Sequence, residues 1–137
     1  MAMKLDIVGV IEDEVGTPRN DGTAGSALYK VPIRLNRGAD PTEAQLIKET
    51  WDHPPSFTTM HRPGILRVDG DTIVLDGTTV DEVADYHAKT LRLVIDRVNQ
   101  LADEQRSQEA AEQKRIEEQQ RAHSQHVSEA VKKIDFE

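Results

Sequence analysis

Ile65-Leu66-Arg67-Val68-Asp69-Gly70-Asp71-Thr72-Ile73-Val74-Leu75 is the stretch whose reading decides the fold. Two short runs rich in β-branched residues, Ile65 to Val68 and Asp71 to Leu75, flank Asp69-Gly70, a pair favoured in tight hairpin turns. Asp76-Gly77 closes the second strand. Thr79, with Glu82 three residues on, forms a capping box that opens a helix. Val80, Val83, Ala84, His87, Leu91, Val94, Val98 and Leu101 then recur at helical spacing as one apolar stripe. Asp85 and Lys89 add an i,i+4 pair on the other side. The reading is strand, strand, long helix.

Upstream, the same order comes once before. Leu5 to Ile11 is a short run of β-branched residues, with Leu5, Ile7 and Ile11 on one side and Val8 and Val10 on the other; it predicts a strand partly covered on both faces. Glu12 to Ser26 is a loop rich in Gly, Asp, Asn and Thr. Ala27 to Leu35 alternates, with Ala27, Tyr29, Val31, Ile33 and Leu35 inward and Lys30, Pro32 and Arg34 outward. Pro32 has no amide proton for a ladder, which predicts a sheet edge there. Asp40-Pro41-Thr42-Glu43 combines a cap, a proline at the first helical position and a capping-box glutamate. Leu46, Ile47 and Trp51 supply the inward face, and Pro54-Pro55 stops the helix near Asp52. Two strand-strand-helix units predict an α+β fold: a small four-stranded, mainly antiparallel sheet in ββαββα order, helices on one face, and a long C-terminal helical extension.

Downstream, the stripe fails. Its continuation falls on Gln105, Gln108, Glu112 and Arg115. Residues 103–126 are rich in Gln, Glu, Ala and Arg without Gly or Pro, so helix propensity is high while nothing apolar is left to bury. Val127, Val131 and Ile134 then return at helical spacing, with Phe136 beyond. The expected organisation is an α+β domain over 3–102, a polar, solvent-exposed helical extension over 103–126, and a short amphipathic segment over 127–137. Val98, Leu101, Val127, Val131, Ile134 and Phe136 are the candidate partner-binding residues, for a second copy or another protein.

Composition narrows the function classes. The net charge is −8, with 25 acidic against 17 basic residues, and no basic stripe is present to neutralise phosphates. Direct nucleic-acid binding is therefore not expected. With no cysteine, disulfides, thiolate metal sites and a cysteine nucleophile are excluded. No apolar run approaches the ~20 residues of a membrane span. The expectation is a soluble cytoplasmic protein with no membrane partner and no cofactor.

The densest collection of reactive side chains follows Trp51. Asp52, His53 and His61 are the types that hold a first-row metal ion, but their spacing matches no established signature. Thr58, Thr59 and Arg62 are the types that hold an anion, though without a glycine-rich cradle. His61, Arg62 and His87 are candidate acid–base residues if the fold brings them together. Against these readings, the loop reads first as a surface connection with aromatic anchors. His87, on the apolar stripe, reads first as a packed histidine with one nitrogen satisfied. No nucleophile elbow, dinucleotide fingerprint or calcium loop occurs.

The leading expectation is a small non-enzymatic interaction or assembly module, an accessory or adaptor subunit that uses its C-terminal helix to self-associate or dock a partner. The alternative is a ligand- or metal-binding protein or enzyme built on the 52–62 loop and His87. A third, an acidic antagonist of a nucleic-acid-binding protein, rests on charge alone.

Overall fold

Leu66–Asp69 (β3) and Thr72–Thr78 (β4) pair antiparallel in a computed structural model of the chain, which describes residues 3–136; the last residue of the expected 127–137 segment lies outside them. Asp69 pairs with Thr72, so the two loop residues are Gly70 and Asp71, one position later than the sequence reading. Gly70 has φ 62° and Asp71 has no positive φ. A glycine at the first central position suits the II′ turn, whereas the expected Asp69-Gly70 pair would have put a β-carbon there.

Tyr29–Leu35 (β2) pairs with β4, and Ile7–Val10 (β1) pairs with β2, giving one antiparallel sheet in the order β1-β2-β4-β3. β2 is thus a central strand, and the edge expected at Pro32 is corrected. The Pro32 carbonyl accepts from the Ile11 amide, one residue past the end of β1. A strand residue aims its N–H and C=O to the same side. The amide that Pro32 lacks would therefore point where β1 has already ended. β1 is an edge strand with one face open: Leu5 is buried, while Val8 and Val10 are exposed. That corrects the expectation of two covered faces.

Pro41–Asp52 (α1) starts on a full capping box, with Asp40 accepting from the Glu43 amide at 2.7 Å and Glu43 accepting from the Asp40 amide at 3.1 Å. Val80–Glu82 (α2) is capped by the Thr79 hydroxyl. A π-turn, Val83–His87, follows, and then Ala88–Lys132 (α3), 45 residues long. The expected stripe holds at Val83, His87, Leu91, Val94 and Val98 and differs around them. Ala84 is exposed and Leu101 half-buried, whereas Thr90, Ile95 and Ala102 are buried.

Alternate residues Val31, Ile33, Leu35, Ile73 and Leu75 join Ile47, Trp51, Leu91, Val94, Ile95 and Val98 in one buried cluster, so the helices cover one face of the sheet. The chain divides into two compact units, 1–101 and 102–137. In the second, every described residue from Asp103 to Phe136 is exposed. No helix among the described residues is long and apolar enough to cross a membrane.

Candidate functional site

The loop after α1 closes back over the end of that helix. Trp51 is wholly buried, and its indole N–H donates to the Arg62 carbonyl at 2.9 Å. His61 Nε2 lies 2.7 Å from the Trp51 carbonyl oxygen. A carbonyl only accepts, so Nε2 carries a proton and donates. The His61 ring lies 4.4 Å from the Trp51 ring, centroid to centroid, and the His87 ring meets the same indole edge-on at 5.5 Å. The fold therefore brings His61, Arg62 and His87 together around Trp51, across 26 residues of sequence.

Arg62 is tied to Glu82 and Gly77. Its guanidinium grips Glu82 in a bidentate pair, both contacts at 2.7 Å, and also donates to the Gly77 carbonyl at 2.9 Å. Glu82 takes a further hydrogen bond from the Thr78 hydroxyl. Burial opposes ionisation of Glu82, but the hydrogen bonds and charge of Arg62, with help from Thr78, outweigh it and hold the carboxyl below the usual range. Thr79 caps α2 as expected, but the Glu82 carboxylate bonds Arg62 and Thr78. With Nη1 and Nη2 both committed to Glu82, the end-on fork of Arg62 is not available to an external anion.

His87 is 0% exposed, and neither of its ring nitrogens has a hydrogen-bond partner. The expectation of one satisfied nitrogen is thereby corrected. Burial pushes its pKa below the ordinary value; Glu82 opposes that shift, while Arg62 and His61 add to it. A fully buried ring cannot exchange protons with a substrate in this conformation.

A cleft of about 920 Å³ opens beside this cluster, lined by Asp52, His53, Phe57, Thr58, His61 and Gly64 among others. Phe57 stands exposed at its rim, with its ring 5.9 Å from that of His61. Thr58 Oγ1 and His61 Nδ1 are buried without partners. Thr59 and His53 are exposed. Asp52 accepts from the Gly64 amide at 2.8 Å and so holds the loop rather than facing an ion. Among the described residues no three His, Cys, Asp or Glu converge as a metal site, so Asp52, His53 and His61 do not form one.

The candidate partner-binding residues fall into two groups. Val98 is wholly buried in the core and Leu101 half-buried, which leaves Val98 no free surface to offer. Val127, Val131, Ile134 and Phe136 are all exposed, Phe136 at 95%.

Two features escaped the sequence reading. Arg37 grips Glu43 bidentately at 2.7 and 2.6 Å and donates to the Met3 carbonyl at 2.6 Å. Glu43 and Glu82, each third in its helix, are thus held by an arginine earlier in the chain, Arg37 from the loop before α1 and Arg62 from the loop before β3. The sequence signal was the arginine upstream of each cap, but the distances, three residues for Arg37 and seventeen for Arg62, share no rule. The second is an apolar groove of about 730 Å³ lined by Ile7, Val10, Ile33, Val83, Leu91 and Leu93. Comparison of the chain with protein-family models, curated proteins and solved structures finds no match, so the reading of its function rests on these residues alone.

Proposed function

We propose that this protein is a non-enzymatic assembly module, a small α+β platform whose C-terminal helix joins it to a second copy or to a protein partner. One observation carries the reading: every described residue from Asp103 to Phe136 is exposed, including the apolar Ile116, Val127, Val131, Ile134 and Phe136. A helix draws most of its stability from packing an amphipathic face. Here propensity and exposed pairs such as Arg106–Asp103 and Gln113–Glu117 supply the local part, and the terminal apolar residues remain for an external surface. The absence of cysteine suits a reducing compartment, and the reading places the module in the cytoplasm.

The test is light scattering and partner capture with the full chain and with a variant carrying Val127→Ser, Val131→Ser, Ile134→Ser and Phe136→Ser. Assembly or capture by the parent that the variant loses supports the proposal. A monomeric parent that captures nothing the variant does not also capture refutes it.

A second reading, a small-ligand site, draws on the cleft beside Phe57 and on the unpartnered Thr58 and His61 atoms at its base. It is the weaker of the two because Arg62 is paired and His87 sealed. A small molecule retained in native mass spectrometry, and lost with Phe57→Ala, would favour it.

A further inference from the structure

His87 ends the π-turn Val83–His87, which joins α2 to α3. Its ring is entirely buried against Trp51, and neither nitrogen reaches a hydrogen-bond acceptor or donor. A neutral imidazole in that position leaves one N–H unmet; an imidazolium would leave two, together with a buried charge. Buried polar groups are nearly always paired, so an unpaired, titratable one placed in the core is an anomaly that asks for a role.

The groups around the ring do not rescue the charged form. From α1 it meets the uncharged indole of Trp51. From the loop it feels His61 and Arg62, both unfavourable to added positive charge. From α2 it feels the Glu82 carboxylate, whose charge is already matched by the bidentate Arg62. A second imidazole, His61, sits against the same indole with its own Nδ1 unpartnered.

We infer that His87 is an acid-sensitive latch: its protonation is incompatible with the closed packing around Trp51 and opens the π-turn together with the 53–64 loop. The geometry supplies what such a device needs. The titrating ring is sealed. The backbone around it has a non-ideal turn, of a kind that often marks functional sites. The hydrogen bonds from the Trp51 indole to the Arg62 carbonyl and from His61 to the Trp51 carbonyl tie the loop to the same residue, so the elements move together. The sign follows from linkage. Folding holds the ring neutral below its ordinary value of 6.5, so the unfolded or opened chain binds more protons. The closed form is fully stable above that value and loses stability as pH falls below it. The carboxylates Glu82 and Glu43 are held below their ordinary 4.5, so their loss acts in a separate, more acidic window.

Trp51 is the only tryptophan, so its emission reports the latch directly. The experiment follows emission and far-ultraviolet circular dichroism of the full chain from pH 8 to pH 5, for the parent, His87→Phe and His61→Gln. Expected are a reversible red shift in the parent beginning below pH 6.5, a midpoint moved down by about one pH unit or more in His87→Phe, and a transition that persists in His61→Gln. A parent unchanged to pH 5, or a His87→Phe transition coincident with the parent's, overturns the inference. Should His87→Phe fail to fold, proton resonances of the parent's histidines decide. A His87 ring that stays neutral until Trp51 emission changes supports the latch; one that titrates at the ordinary value under constant emission overturns it.

Discussion

Residues 3–101 and 102–136 draw on much the same charged residues and use them in opposite ways. In the first unit, charge is placed next to the core. Glu43 is almost fully buried under Arg37, and Glu82 is partly buried under Arg62. In the second unit the pairs, Arg106–Asp103 and Arg115–Glu112, lie one helical turn apart on an open surface. Exposed pairs of this kind contribute little. A partly buried pair becomes expensive when one partner is removed, because the other is left uncompensated. The difference teaches that helical structure and folded stability have separate sources here: local propensity along α3 beyond Leu101, and burial around Trp51 before it.

Four experiments can break or sharpen that contrast, from the largest effect down. Trp51→Ala removes the largest buried side chain and the acceptor-matched indole N–H, and should cost roughly 3–5 kcal/mol in chemical denaturation, as large-to-small core changes do. Arg62→Ala should cost about 2 kcal/mol by stranding Glu82 in a partly buried position. It should also change the acid limb of stability. Glu82 is held below 4.5 in the folded parent, so its contribution is present at neutral pH and fades as pH falls through that range. The variant should lack that fade in a pH series of denaturation curves.

Asp40→Ala removes one half of the α1 capping box and should cost about 1 kcal/mol, read as a lowered melting temperature. The fourth change, the serine replacement of Val127, Val131, Ile134 and Phe136, should shift the stability of the first unit by less than about 0.5 kcal/mol while abolishing assembly. A large loss of stability from that variant would mean the tail belongs to the fold, and the two units would not differ in their source of stability.

Much of the first unit was legible residue by residue. The Asp40-Pro41-Thr42-Glu43 signal marked the start of α1, and Pro54-Pro55 its end, because caps and prolines act within a few residues. Alternation along Tyr29–Leu35 identified β2 for the same local reason. The position of that strand in the sheet was misread, because whether Pro32's missing amide matters depends on where β1 stops. The hairpin loop moved by one residue for a similar reason: Asp69-Gly70 and Gly70-Asp71 are both acceptable turns, and the pairing of Leu66 with Leu75 selects between them. At the candidate site, sequence collected His61, Arg62 and His87 as reactive types. It placed His87 as a packed residue on the apolar stripe, but gave no sign that Arg62 is closed on Glu82 or that both His87 nitrogens lack a partner.

What the chain's own order of residues dictated is therefore most of what acts over one or two turns: caps, periodicity, and a tail with helix propensity and no core. What only the tertiary structure decided is which polar groups meet and which are shut away. Glu82 and Arg62 are twenty residues apart, and His87 and Trp51 thirty-six. Contacts of that separation are set by how the sheet and helices pack, because burial is non-directional and chooses partners only once the whole core has closed.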